Sequence, residues 1–179
     1  QSKKLLIFTG NRPNMKLLKL SVLPVTLFAS LLLLNSCESD AEQERTLDYS
    51  KNGIVMSGAQ EQPANASTAL GKLDVFYSKD NRTLNYTFSW SGLSGPVTGL
   101  RIQGLAPVGY SGGLVQTIST TNIVKCSASS TTACGSISGT MQMDGYVVKE
   151  QDILNGMYYV NIITSAYPNG EIRGQVKFQ

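Results

Sequence analysis

Glu61 and Glu171 are the leading candidates for acid–base chemistry in this sequence, which contains no histidine. Two carboxylates that face each other across a cleft are the machinery of glycoside hydrolysis, so a carboxylate hydrolase is one interpretation of the pair. Arg173, however, lies two residues after Glu171 and therefore on the same face of a strand that contains both. The pattern accordingly favours a structural role for all three residues, as an ion pair or a cross-strand contact.

Serine and threonine are abundant, but a nucleophile of either type needs an adjacent base. Without histidine that base must be a lysine or a carboxylate, and the basic residues are scattered with no motif to support it. The glycine-rich stretch 104–113 lacks the Gly-Lys-Ser/Thr ending and the following helix of a phosphate loop, so it predicts a mobile connection or a binding loop. The sequence thus predicts a protein that is not an enzyme and holds no cofactor.

Cys37 follows a segment that reads as an export signal. Met15 opens the stretch "MKLLKLSVLPVTLFASLLLLNSC", in which two lysines precede an apolar run over 20–34. The ending Leu-Asn-Ser-Cys resembles the lipobox of bacterial lipoproteins, which implies cleavage before Cys37 and attachment of acyl chains to it. The alternatives are an ordinary signal peptide with an incidental cysteine, or a short membrane anchor. Residues 1–14 precede the plausible start methionine, so we expect them not to be native and residues 15–36 to be the signal peptide.

The segment after Cys37 is acidic and poor in apolar residues, so residues 37–52 predict a lipidated, disordered tether. It resembles the surface-export signal of Bacteroidetes lipoproteins. These features predict a protein anchored in the lipid bilayer of the bacterial outer membrane, facing the periplasm or the cell surface. Five of the fifteen basic residues precede Cys37, which leaves ten against twelve acidic residues downstream. No basic stripe remains there, so nucleic acid is not an expected partner.

Cys126 and Cys134 bracket the small polar loop "SASSTTA". In an exported protein such a pair predicts a disulfide, and closing a loop of about nine residues contributes roughly 2–3 kcal/mol. The alternative is two free thiols. A zinc site is disfavoured because two cysteines without histidine cannot complete its ligand shell.

Residues 53–179 alternate between apolar and polar side chains with the period of a β-strand. The clearest case is a hairpin, in which Leu73, Val75 and Tyr77 share one strand face and a polar turn leads to the alternating stretch 84–90. Further strands are expected near 53–58, 97–104, 113–119, 136–143, 157–164 and 171–178, with a short helix at 149–156. The prediction is an all-β fold, an antiparallel β-sandwich of about eight strands with Greek-key or flattened-barrel character.

Three stretches in order carry a family resemblance: "SGAQEQPANAS" (57–67), "YTFSWSGLSGPVTGLRIQGLAPVG" (86–109) and "YYVNIITSAYPNGEIRGQV" (158–176). Together they resemble the opening, middle and closing motifs of the CHRD domain, which is named after chordin and is common in bacterial secreted proteins. The resemblance implies an antiparallel β-sandwich. Glu61, Glu171 and Arg173 fall inside these motifs.

The departures from the family pattern concern its histidines. Where family members typically carry His-x-His, this chain has Arg101 and Gln103, and Ile163 stands where the closing strand usually has another histidine. Arginine stays protonated and isoleucine has no donor atom, so a metal-dependent oxidoreductase is the less favoured alternative and no metal is expected. We expect the surface around Arg101, Gln103 and Ile163, with Tyr110 and Tyr167, to bind a protein or glycan ligand.

Overall fold

The computed structural model describes residues 48–128 and 131–179, which form nine strands and one short α-helix. Two 3-10 turns, Gly58–Gln60 and Thr120–Asn122, also occur. The strands in chain order are β1 (Tyr49–Ser57), β2 (Leu70–Ser78), β3 (Thr83–Ser91), β4 (Val97–Gly104), β5 (Gly113–Ile118), β6 (Val124–Lys125), β7 (Gly135–Gln142), β8 (Tyr158–Thr164) and β9 (Ile172–Gln175). The helix α1 (Glu150–Leu154) lies between β7 and β8.

The strands form one antiparallel sheet in the order β5-β4-β8-β9-β1-β2-β3-β7-β6, which curls into a half-barrel. The curl brings strands near the two edges together: Gln116 of β5 donates a side-chain hydrogen bond to the carbonyl of Thr140 in β7, at 3.1 Å. The prediction of an all-β, antiparallel, barrel-like fold with one short helix is confirmed. It succeeds because the alternation of side chains fixes which face of each strand turns inward.

The concave face of the sheet holds the hydrophobic core. In the hairpin β2–β3, Leu73 lies opposite Phe88 and Tyr77 opposite Leu84, as the alternation predicted. All four side chains are fully buried. Every other strand except β6 also contributes buried side chains to the cluster, and β5 does so through Ile118 near its end. Burial of side chains of this size contributes about 1.5–3 kcal/mol each, so the core is a large stabilising contribution to the fold.

Two elements differ from the prediction. Residues 49–52, which were assigned to the tether, are the start of β1, because Tyr49 pairs with Tyr77 and packs edge-on against Phe178 at 5.9 Å between ring centroids. Strand β6 was not predicted, since two exposed residues carry no periodic signal.

The predicted disulfide between Cys126 and Cys134 is present, with 5.6 Å between the Cα atoms, and links β6 to the start of β7. Cys37, the predicted signal peptide and most of the predicted tether lie outside the described residues. Within 48–128 and 131–179, no helix is both long and apolar enough to cross a membrane.

Strand β8 departs from simple alternation because all seven of its residues are buried. Its apolar face, which includes Val160 and Ile162, belongs to the core. Its second face is covered by chain segments that fold back over β4, β8 and β9. That covered second face carries most of the buried polar side chains of the described chain.

Candidate functional site

Two rows of polar side chains cross the covered face of the sheet. Arg101 of β4 lies opposite Asn161 of β8, which lies opposite Arg173 of β9. The adjacent row consists of Gln103, Tyr159 and Gln175. Arg101 and Gln103 therefore share a strand face, as the sequence predicted. We call these six residues, together with Glu61, the polar layer.

Arg173 is the central residue of the polar layer and is almost fully buried, with 1% of its surface exposed. Its guanidinium carbon lies 3.5 Å from the centroid of the Tyr159 ring, a cation–π contact. Its two terminal nitrogens donate to the carbonyls of Tyr110 at 2.7 Å and Pro107 at 3.3 Å, and to the side-chain oxygen of Gln175 at 2.6 Å. Arg173 thus fastens the glycine-rich loop between β4 and β5 onto the sheet.

Glu171 serves a different part of the molecule. Its carboxylate accepts hydrogen bonds from the Ser67 hydroxyl, from the backbone N–H and hydroxyl of Ser94, and from the Thr164 hydroxyl. Burial alone would raise the pKa of Glu171, but these hydrogen bonds outweigh it and hold the pKa below its usual value. Among the described residues Arg173 forms no ion pair with Glu171. Glu171 lies just before β9 and Arg173 within it, and the two side chains do not interact.

Glu61 follows the 3-10 turn after β1 and is 7% exposed. Its Oε1 and the Oδ1 of Asn161 are enclosed without a hydrogen-bond partner. Both oxygens lie within 2.6 Å of the position that a Cβ on Gly170 would occupy, so a larger residue than glycine does not fit there. Burial raises the pKa of Glu61 to about 7, against the opposing effect of the Arg173 charge. A proton on Glu61 gives this enclosed region a hydrogen-bond donor, which the Asn161 oxygen lacks.

A polar pocket of about 310 Å³ opens over this layer. Its lining consists of Glu61, Gln62, Arg101, Gln103, Ser111, Tyr159, Asn161 and Asn169. Gln103 accepts from Asn161 at 3.0 Å and donates to the Gly112 carbonyl, which fixes its side chain. Arg101 is half-buried, and in the part of the chain that the structure describes its side chain makes neither a hydrogen bond nor an ion pair. The pocket therefore presents one positive charge, the Arg101 guanidinium, that no described carboxylate pairs with.

The other three residues predicted for the binding surface differ in their distance from the pocket and in their exposure. Ile163 is buried on the same face but packs beside Gly99 and does not line the pocket. Tyr110 is 67% exposed, and its backbone carbonyl accepts a hydrogen bond from Arg173 of the polar layer. Tyr167 lines a second, smaller pocket of about 170 Å³, which shares Glu61, Gln62 and Asn169 with the first. The pocket and the predicted surface thus overlap at Arg101 and Gln103.

Sequence reasoning missed Gln62, Asn161 and Asn169 as pocket residues, whereas Ser111 lies in the glycine-rich stretch 104–113, which was predicted as a possible binding loop. Asn161 had a usable signal, because a polar residue in the middle of an otherwise apolar strand must find partners. Gln62, Ser111 and Asn169 lie in connecting segments, where spacing does not reveal which strand they will cover.

The donor set does not suit a metal ion of the kind the histidines of the family resemblance would hold. Arg101 and Ile163 offer no lone pair, and Gln103 already accepts from Asn161. No three His, Cys, Asp or Glu side chains of residues 48–128 and 131–179 come together at a metal-binding distance.

A comparison with family models decides the relationship. The model of the CHRD domain matches residues 53–176, more than half of the chain. The chain belongs to the CHRD domain family. The match runs from the middle of β1 to just beyond β9, so the three motifs lie in one CHRD domain that includes the pocket. No curated protein and no solved structure matches the chain.

The raised pKa of Glu61 makes the stability of this CHRD domain depend on pH. Between about pH 4.5 and 7 the folded protein holds a proton on Glu61 that the unfolded chain has released, so the free energy of unfolding falls as the pH rises through this window. The expected loss is on the order of 3 kcal/mol by pH 8. Because glutamine keeps a donor next to Asn161 without titrating, Glu61→Gln should be more stable than the natural chain at pH 8.

Urea unfolding at pH 5, 6, 7 and 8 measures this effect directly. Comparing the variant with the natural chain at each pH removes contributions from other carboxylates. Stability curves that run parallel across this range would contradict the assignment of the titration to Glu61.

Proposed function

We propose that this CHRD domain is a non-catalytic binding module, held at the bacterial outer membrane by acyl chains on Cys37 and facing the periplasm or the cell surface. The polar pocket is its ligand site, and the ligand is a glycan or a segment of a partner protein. The observation that carries the proposal is the uncommitted guanidinium of Arg101 in a pocket otherwise lined by amide, hydroxyl and carboxyl groups. Such convergent polar groups in a concave site are typical of ligand recognition.

The distribution of carboxyl groups favours binding over hydrolysis. Glu61 is the one carboxyl group among the residues that line the pocket. Glu171, the proposed second member of a catalytic pair, is fully buried, and its oxygens already accept hydrogen bonds from three residues. A two-carboxylate mechanism needs both groups to be available to a substrate.

A hydrolase is the second candidate, because a glutamic acid with a pKa of about 7 beside a pocket has the property of a general acid. Glu61→Gln separates the two functions. In an enzyme this substitution lowers turnover by roughly a hundredfold or more, whereas in a binding module ligand affinity changes little.

The lipid anchor rests on the sequence around Cys37. Strand β1 begins at Tyr49, so only residues 38–48 separate the acylated cysteine from the domain. A chain of that length spans at most roughly 40 Å even when fully extended. The pocket is therefore held near the membrane surface, where envelope glycans and proteins are concentrated.

Cys37→Ser is expected to abolish acylation and release the protein from membranes. More than nine tenths of the natural protein should sediment with the membrane fraction, and most of the variant should stay in the supernatant, because one uncleaved segment with a short apolar run anchors poorly. Cys126→Ser with Cys134→Ser is the matched control, since it removes two cysteines and should leave sedimentation unchanged. Persistent membrane attachment of Cys37→Ser would favour an uncleaved membrane helix.

The binding role is tested by occluding the pocket. The full chain, extracted from membranes, is applied to an array of neutral and acidic oligosaccharides and of unstructured peptides. Asn169 is exposed at the rim shared by both pockets, so Asn169→Trp should block entry without disturbing the fold. Asn155→Trp, at an exposed asparagine after α1, is the control. The proposal would be refuted if no ligand on the array bound the natural chain, or if Asn169→Trp left the observed binding unchanged.

A further inference from the structure

We propose that the pocket recognises a sugar residue that carries an anionic group, of which a uronic acid is the simplest example. The inference rests on the proposed binding function and specifies its ligand. The anionic group lies against Arg101, and hydroxyl groups of the sugar contact the amide and carboxyl groups around it.

Charge selects the anion. Arg101 contributes a positive charge that forms no ion pair with a described residue. The buried Arg173, which stacks on the lining residue Tyr159, contributes a second one. Glu61 is the one acidic side chain in the lining, and Glu171 is enclosed among hydroxyl groups of other elements. The planar guanidinium of Arg101 is suited to two parallel hydrogen bonds with a carboxylate or a phosphate.

Hydrogen-bonding capacity selects the sugar. The side chains of Gln62 and Asn169 line the pocket and make no hydrogen bond within the described residues, so both amides are available to a ligand. An amide both donates and accepts, which matches a hydroxyl group, and several amides around one cavity suit a ring bearing several hydroxyls. Oε1 of Glu61 is enclosed, but Oε2 is not and accepts no hydrogen bond from the described chain. Oε2 can therefore accept from a hydroxyl of the ligand, and the ionised carboxylate would repel a second anion.

Size limits the ligand to about one sugar residue in the main pocket. Its volume of about 310 Å³ lies at the lower end of small-molecule sites. The adjoining pocket of about 170 Å³ shares three residues with it and offers room for part of a neighbouring residue in a chain. Tyr167 lines this second pocket and provides the aromatic surface that sugar rings often contact.

The test is calorimetric titration of the membrane-extracted full chain with D-glucuronate, D-galacturonate, D-glucose, D-glucose 6-phosphate and inorganic phosphate. We expect a uronate to bind at least tenfold more tightly than glucose. Arg101→Ala should weaken uronate binding at least tenfold, and Arg101→Lys should weaken it less. Lys72→Ala, which removes an exposed cation from β2 outside this pocket, should leave the affinity unchanged.

Each remaining outcome has a definite meaning. Tighter binding of glucose 6-phosphate than of the uronates supports the proposal and identifies a phosphosugar as the source of the anion. Equal binding of glucose and glucuronate, or an unchanged affinity in Arg101→Ala, overturns it. Inorganic phosphate binding as tightly as the best sugar overturns the sugar part, since an adventitious ion only would then be bound.

The failure of this inference is separable from failure of the binding function. If the array detects a ligand that Asn169→Trp abolishes while Arg101→Ala does not, the pocket binds something else and only the anionic sugar is refuted. Thermal unfolding of each variant verifies that it is folded before its affinity is compared.

Discussion

Replacing Arg173 with alanine is expected to lower the free energy of unfolding by about 4 kcal/mol. The substitution removes a guanidinium that is 1% exposed, together with its stacking on Tyr159 and its hydrogen bonds to Tyr110, Pro107 and Gln175. The acceptors left behind are partly enclosed and lose their donor, which costs more than the bond itself contributes. Urea unfolding at pH 7, followed by tryptophan fluorescence, measures the change.

Two further variants locate the cause of this loss. Arg173→Lys keeps the charge but not the planar fork, so it should recover less than half of the lost stability. Arg101→Ala removes the same side chain from the same face of the sheet, but at a residue with no partner in the described chain, and should cost less than 1 kcal/mol. If Arg173→Ala and Arg101→Ala lowered the free energy of unfolding by the same small amount, Arg173 would not be the residue that holds the β4–β5 loop on the sheet.

Replacing Glu171 with glutamine is expected to cost about 3 kcal/mol at pH 7. The carboxylate accepts charge-assisted hydrogen bonds from Ser67, Ser94 and Thr164, and thereby joins the segment before β2, the loop before β4 and the end of β8. An amide offers one acceptor oxygen instead of two and carries no charge. One of the donors must therefore lose its acceptor or turn away, and the hydrogen bonds that remain are weaker.

The pH dependence of the free energy of unfolding provides a second test of this prediction. The pKa of Glu171 is held below its usual value, so its stabilising effect is present above about pH 4.5 and is lost as the pH falls through the lowered pKa. The difference between the natural chain and Glu171→Gln should therefore shrink in acid. Glu150→Gln, at a partly exposed carboxylate that contacts Lys79, is the matched control and should cost less than 1 kcal/mol. A deficit that does not shrink at any acidic pH at which the natural chain remains folded would contradict this account.

The two glutamates of the family motifs have opposite electrostatic environments, although the sequence treats them alike. Glu171 is buried among donors and stays ionised, while Glu61 is buried beside enclosed oxygens and holds its proton near pH 7. The sequence favoured an ion pair or a cross-strand contact for Glu61, Glu171 and Arg173. The described salt bridges do not include such an ion pair, whereas Arg173 makes a cross-strand contact with Tyr159. Arg173 instead donates to the carbonyls of Tyr110 and Pro107, because the β4–β5 loop packs against its guanidinium.

The local sequence determined the elements of this protein. Alternation specified the β2–β3 hairpin to within a few residues, and eight of the nine strands of the described chain were expected close to their observed positions. The Cys126–Cys134 disulfide was also predictable, because two cysteines around a short polar loop have few alternatives. Such features depend on neighbours in the chain, and their physical cause is contained in a short window of residues.

The tertiary structure decided where the polar residues act. Alternation assigns Arg101, Gln103, Asn161 and Arg173 to a face opposite the core, and on most antiparallel sheets that face is solvated. Here the loops after β1, β4 and β8 fold over it and turn it into a second, polar interior with a pocket above it. Which loop covers which strand depends on the curl of the whole sheet, and no spacing of residues along the chain encodes that. The sequence by itself therefore determined the strands and their inward faces, whereas the pocket exists only because distant loops close over the outward one.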